Sequence, residues 1–233
     1  MNPTEPNLGL DRVRFALCAS GVPVEPPNPL QSGIHTRGYL PHVKREGASY
    51  FVTFRLTDSL PKEVLLRFEH ERAGALCRLP AKAPLEAVEE VHHDLQRKIE
   101  RFLDQGAGAC YLRRPEIADM IAESLQHFHG KQYLLGDWVV MPNHVHLVLW
   151  PMPAFTLSEI LKSRKCHTAR RANLILGRTG ETFWQRESYD HWIRHDEEKA
   201  GICRYTRMNP VKAGLCQTPE EWKWNSAWLG WKT

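Results

Sequence analysis

The chain has 233 residues, 42% hydrophobic and 25% charged, a balance that is typical of globular proteins and excludes collagen-like and fully disordered classes. No apolar run approaches the length of a membrane span, and the N-terminal MNPTEPNLGL lacks the layout of a signal peptide, so we expect a cytoplasmic protein without a membrane partner. The six cysteines are dispersed and form no CxxC pair, which argues against a zinc ribbon or a redox motif. The formal net charge of +4 is weak evidence for a polyanionic partner.

The first half of the chain predicts an arm, a strand and a helical insertion. Residues 1–35 carry six of the sixteen prolines and predict a flexible arm. Residues 48–56 alternate in the manner of a central strand. Two charged, helix-like segments follow at 62–79 and 85–103, and they predict a helical insertion over about 60–110.

The second half predicts the rest of a compact sheet. A helix is expected over 115–128, two strands joined by a tight turn over 132–141 and 144–150, and a helix over 155–176 with Thr156 or Ser158 as its N-cap. A strand over 182–194 and a helix over 196–208, ended by Asn209-Pro210, complete the order. This order predicts an α+β, ferredoxin-like (RRM-like) fold: an antiparallel sheet with helices on one face and an insertion after its first strand.

Two histidines stand out in the second strand of the predicted hairpin. His144 and His146 are two residues apart, so both rings point to one face of the sheet while Val145 points into the core. Such a pair suits a divalent metal ion, although an isolated pair of this kind is more often a surface or hydrogen-bonded feature.

The last predicted helix carries a tyrosine and an asparagine on one face. Tyr205 and Asn209 are four residues apart; a tyrosine can attack phosphorus, and an amide oxygen is a ligand for Mg²⁺ or Mn²⁺. The alternative is that Tyr205 packs in the interior and Asn209 only caps the helix. A rival nucleophile is Tyr189, with His191 two residues later as its base.

The helix over 155–176 is rich in cations. The segment 160–180 contains no acidic residue, which predicts a phosphate-binding face that gives affinity rather than sequence choice. The cations expected to contact DNA are Lys162, Arg164, Lys165, Arg170 and Arg171, together with Arg194 further along.

Several segments together resemble the HUH-type single-tyrosine transposases, and most closely the REP-associated tyrosine transposases. They are RGYLPH at 37–42, YFVTFRL at 50–56, WVVMPNHVH at 138–146, FWQR at 183–186, DHWIR at 190–194, YTRMNPVKAGL at 205–215 and WKWNSA at 222–227. The similarity covers about residues 35–228 in order, and the arm lies outside it.

The resemblance implies a role for each of these groups. His144, His146 and Asn209 are expected to bind Mg²⁺ or Mn²⁺, and Tyr205 is expected to be the nucleophile; Tyr189, Asp190 and His191 are assigned to supporting the site. The implied function is cutting and rejoining of single-stranded or hairpin DNA through a 5′-phosphotyrosine, by a homodimer. The corresponding division is an arm at 1–35, a transposase domain at 36–215 and a tail at 216–233.

Two other hypotheses are kept. The protein could bind DNA repeats without cutting them, although an intact Tyr205 and histidine pair argue against this. A nucleotide hydrolase of the histidine-triad type is the second, but the third alternating histidine is missing because Val148 stands at that position.

Overall fold

The computed structural model of the chain describes residues 33–36, 41–44 and 47–231. The strands are β1 (Gly33–Thr36), β2 (Pro41–Lys44), β3 (Ser49–Arg55), β4 (Tyr133–Val140), β5 (His144–Pro151) and β6 (Tyr189–Ile193). The helices are α1 (Lys62–Cys77), α2 (Leu85–Leu103), α3 (Pro115–His127), α4 (Leu157–Leu176) and α5 (Asp196–Lys212). The predicted arm lies outside the described residues, apart from the first residues of β1.

The main sheet has the strand order β4-β5-β3-β6, and every neighbouring pair is antiparallel. Helix α3 joins β3 to β4, and α4 joins β5 to β6, which is the ferredoxin-like connectivity. The predicted fold class is therefore confirmed, with α1 and α2 as the insertion after the first strand of this sheet. Strands β1 and β2 form a separate antiparallel pair. Within the described residues no helix is long and apolar enough to cross a membrane.

The two faces of the sheet are covered by different helices. Alternate side chains of β3, such as Val52, pack with residues of α3 and α4 in the main apolar core. The other residues of β3 face the opposite way: Phe51 packs with Val148 and with Ile202 of α5. The sequence predicted helices on one face of the sheet, and α3 and α4 are those helices. Helix α5 covers the second face.

The strand predicted over 182–194 is shorter than expected, because only Tyr189–Ile193 joins the ladder. Trp184 forms an isolated bridge to Leu56, and the backbone between 184 and 189 leaves the strand pairing. The ammonium of Lys165 accounts for this departure, since it binds the backbone carbonyls of Gln185 and Arg186.

Helix α5 continues through the proline that was predicted to end it. Pro210 lies inside the last turns, where the missing N–H removes only one helical hydrogen bond. The helix ends at Lys212 instead. Gly214, two residues later, has a φ of 69°; its N–H donates to the carbonyl of Val211, and the N–H of Leu215 donates to that of Pro210. This pattern is a Schellman motif, which satisfies the last carbonyls of the helix.

The segment after α5 returns to the outer edge of the sheet. The N–H of Val140 donates to the carbonyl of Trp224, and the N–H of Ser226 donates to that of Trp138. Pairing of this kind covers an otherwise open strand edge. It also fixes α5, because the Asn225 amide donates to the carbonyl of Arg207.

Candidate active site

The histidine pair lies at the start of β5, beside the end of β3. His146 is opposite Thr53 and His144 is opposite Arg55 in the strand register, and both imidazoles are completely buried. Val145 between them has no exposed surface and packs in the main core. The core therefore holds the backbone that aims both rings at the second face of the sheet.

Hydrogen bonds set the protonation of the two rings. The Asn143 amide donates to the carbonyls of Leu103 and Ala107, so its oxygen is turned toward Nδ1 of His144 at 2.7 Å. His144 must then carry its proton on Nδ1, which leaves the lone pair on Nε2. Nδ1 of His146 lies 2.8 Å from the Thr53 hydroxyl, a partner that can donate or accept.

The resulting arrangement fits a divalent metal. The two Nε2 atoms lie 3.0 Å apart. Two ligands about 2.1 Å from one ion and at right angles to each other are separated by about 3.0 Å. Burial lowers the pKa of His144 to about 3 and that of His146 well below its ordinary value, so both rings are neutral, as metal ligands must be.

A third ligand must come from another residue type. In the part of the chain that the structure describes, no three His, Cys, Asp or Glu side chains could hold a metal together. Asn209 is completely buried. Its amide meets no partner with good hydrogen-bond geometry among the described residues, although it lies near enough to the Tyr205 phenol to lower the pKa of that group. A buried amide without a well-placed protein partner is costly, so its oxygen is suited to completing the ligand set of a metal ion.

Tyr205 lies next to the histidine pair. Its ring centroid is 5.5 Å from that of His146 and 6.1 Å from that of Phe51, and the ammonium of Lys212 lies 4.4 Å from the ring centre. The phenol donates a 2.9 Å hydrogen bond to a carboxylate oxygen of Glu100 in α2. Burial, with the charge of Glu100 second, raises the pKa of Tyr205 well above its ordinary value. The phenol is therefore neutral and needs an acceptor for its proton before it can act as a nucleophile.

The structure does not pair the rival nucleophile with its expected base. Tyr189 is on the same face, but both ring nitrogens of His191 are occupied: Nδ1 lies 2.9 Å from His93, and Nε2 lies 2.7 Å from Glu198. Asp190 alternates to the other face of the sheet, in register with Val52. His191 thus links the insertion to α5 rather than serving Tyr189.

The predicted DNA-contacting cations divide into two groups. Lys162, Arg170 and Arg171 are exposed on α4. Arg164 is 7% exposed, with its guanidinium 3.8 Å from the centre of the Phe128 ring.

Two further predicted cations are already bound within the chain. The ammonium of Lys165 is bound by backbone carbonyls, and Arg194 pairs with Glu89 of α2. The exposed cations of α4 are therefore the ones available to meet a polyanion, on the face of the sheet opposite to Tyr205.

Thr53, Glu100 and Lys212 are among the residues that contact the site and were not predicted. Thr53 carried a signal, because its place in an alternating strand puts it on the histidine face. Glu100 and Lys212 carried none: each lies on a charged helical segment with several similar neighbours.

Comparison with known proteins finds a family model that matches part of the chain. Residues 113–209, under half of the chain, match the IS200-like transposase family. The matched segment contains both histidines, Tyr205 and Asn209, and the predicted transposase resemblance is confirmed over it. A solved REP-associated tyrosine transposase bound to a REP hairpin matches with a TM-score of 0.44 and 15% identity, over 82% of this chain and 81% of that one. No curated protein matches.

Proposed function

We propose that this protein is a metal-dependent transposase that cuts and rejoins single-stranded DNA at or near hairpin-forming repeats. The observation that carries the proposal is the proximity of Tyr205 to the buried histidine pair, within the segment that matches the IS200-like transposase family. A phenol beside two neutral imidazoles and a buried amide is what a tyrosine nuclease requires.

The proposed reaction is an in-line displacement at phosphorus. The Tyr205 oxygen forms a bond to phosphorus, the bond from phosphorus to the 3′ oxygen breaks, and that oxygen takes up a proton. His144, His146 and Asn209 would hold Mg²⁺ or Mn²⁺, which polarises the scissile phosphate when bound. The product is a 5′-phosphotyrosine and a free 3′-hydroxyl. Attack by a 3′-hydroxyl reverses the step and rejoins DNA without ATP.

Binding is assigned to the exposed cations of α4. Lys162, Arg170 and Arg171 can neutralise phosphates, which gives affinity for any sequence. Hairpin DNA as the partner follows from the resemblance of residues 35–228 to the REP-associated tyrosine transposases. The homodimer that the same resemblance implies stays a prediction.

Covalent capture tests this function. The full chain is incubated with 5′-labelled and 3′-labelled single-stranded hairpin oligonucleotides, with Mn²⁺, with Mg²⁺ or with EDTA, and separated on a denaturing gel. A metal-dependent adduct that carries only the label 3′ of the cut is expected, and it should be absent from Tyr205→Phe and His146→Ala.

Tyr189→Phe is the matched control, because Tyr189 lies on the same face and should leave adduct formation intact. An adduct that survives Tyr205→Phe would reassign the nucleophile. Binding without an adduct under every metal condition would favour a protein that occupies repeats without cutting them.

A further inference from the structure

The insertion after β3 reaches the predicted nucleophile. Helix α2 lies over the second face of the sheet, where His93 contacts His191 of β6 and Glu100 contacts Tyr205 of α5. Glu100 and Tyr205 are 105 residues apart in sequence. Glu100 lies outside residues 113–209, the segment that matches the transposase family.

The Glu100 carboxylate is held at both oxygens. One oxygen accepts a hydrogen bond of 3.1 Å from the Gln96 amide, and the other accepts the 2.9 Å bond from the Tyr205 hydroxyl. Gln96 is itself buried, so the carboxylate has a defined orientation. Burial raises the pKa of Glu100, which makes it a stronger base than an exposed glutamate.

Among the described residues no other base is hydrogen-bonded to the phenol. The charge of Asp104 also raises the pKa of Tyr205, but this second carboxylate makes no hydrogen bond to the phenol. Nδ1 of both histidines is engaged with Asn143 or Thr53, and both Nε2 atoms face each other as the candidate metal ligands. The ammonium of Lys212 lies over the ring face and has no acceptor atom. Glu100 is thus the described carboxylate in hydrogen-bond contact with the phenol.

We propose that Glu100 is the proton acceptor of the Tyr205 nucleophile, and hence a catalytic residue supplied by the insertion. This inference rests on the proposed function. As the Tyr205 oxygen bonds to phosphorus, its proton passes to the free lone pair of the Glu100 carboxylate, while the bond to the 3′ oxygen breaks and that oxygen takes a proton from water. In rejoining, Glu100 returns the proton to the departing Tyr205 oxygen.

Single-turnover adduct formation tests the assignment. Glu100→Gln keeps the shape and an oxygen that can accept the phenol's hydrogen bond, but it cannot take up the proton. The rate of adduct formation should fall by about 100-fold or more, while the oligonucleotide Kd measured in EDTA changes by less than about threefold. Glu86→Gln, at an exposed site of the same helix, is the matched control and should react at the wild-type rate.

Rescue separates proton transfer from a structural role. In Glu100→Ala, added formate should restore part of the rate, whereas it should do nothing for Tyr205→Phe. Adduct formation by Glu100→Gln within about threefold of wild type would overturn the assignment and leave the nuclease intact. Loss of rate in Glu100→Ala without formate rescue, together with a lowered unfolding midpoint, would make Glu100 structural. Absence of an adduct from wild type would overturn both proposals.

Discussion

Replacing Lys165 by methionine separates a structural cation from a DNA-binding one. The Lys165 ammonium donates to the carbonyl of Gln185 at 2.7 Å, to that of Arg186 at 2.9 Å and to the Ser188 hydroxyl at 3.1 Å. Burial lowers its pKa to about 8. These contacts hold the backbone just before β6, so we expect Lys165→Met to loosen this segment rather than to weaken DNA binding.

The size of the effect follows from two opposing terms. Each hydrogen bond from a charged donor contributes roughly 1.5–3 kcal/mol, and three are lost. The lowered pKa corresponds to a desolvation cost of roughly 3 kcal/mol that methionine no longer incurs. We expect a net loss of about 2–4 kcal/mol in the free energy of unfolding, since water reaches some of the freed acceptors.

Two measurements check this prediction. Urea unfolding followed by circular dichroism gives the free energy, and the salt dependence of oligonucleotide binding gives the number of phosphates neutralised. Lys165→Met should leave the salt slope unchanged. A triple change to glutamine at the exposed Lys162, Arg170 and Arg171 is the comparison: it should lower the slope by about 2 and alter stability by less than about 1 kcal/mol.

This prediction is wrong if Lys165→Met lowers the free energy of unfolding by less than about 1 kcal/mol and lowers the salt slope by about 0.7. A slope change of that size is the contribution of one phosphate contact with a single strand. Lys165 would then meet DNA, and the segment 185–188 would be held by other contacts.

Three further changes have defined outcomes. Thr53→Val removes the hydroxyl beside one histidine, so the Mn²⁺ concentration for half-maximal adduct formation should rise about 10–100-fold in a metal titration. Gly108→Ala should lower the free energy of unfolding in urea by more than about 2 kcal/mol, because φ is 85° and the new Cβ would meet the Asp58 carbonyl oxygen at 2.6 Å. Gly201→Ala, in α5 with open space around the new Cβ, should raise the free energy of unfolding by about 0.5–1 kcal/mol. Equal effects of the two variants would contradict this prediction. Burial lowers the pKa of His92 to about 4, so between about pH 6.5 and 4 the unfolded chain binds more protons and the folded state loses stability as the pH falls. In urea unfolding at pH 7.5 and at pH 5.0, the wild type should therefore lose about 1–2 kcal/mol more than His92→Leu. Equal losses would contradict this prediction.

The sheet could be predicted because its signals are local. Alternating residues in β3 and β5 and the capping box of α4, in which Thr156 and Glu159 bond each other's backbone, act within a few residues. The two errors have different sources, one distant in sequence and one local. The ammonium of Lys165 takes carbonyls that a longer β6 would use, and the C-terminal motif at Gly214 stabilises a helix end beyond Pro210.

The candidate site could be predicted from the sequence to about the same degree as the sheet. The spacing of His144 and His146 and that of Tyr205 and Asn209 place each pair on one face of its own element, and the family resemblance joined the two pairs. The protonation states of the two histidines could not be predicted, because they depend on hydrogen bonds with Asn143 and Thr53 that form only through tertiary packing. The burial of Arg164 and Lys165 likewise depends on how α4 is rotated against the sheet.

The register of the sheet explains why the insertion can serve the site. The chain leaves β3 after Arg55, which is directly opposite His144. An insertion at this point begins beside the end of β5 that carries the histidine pair, and two helices of 16 and 19 residues can fold back over the same face. Its return is anchored there too, since the Asn143 amide binds the carbonyls of Leu103 and Ala107. By starting at the central strand β3, the insertion brings α2, and with it Glu100, to Tyr205 on the face that α5 also covers.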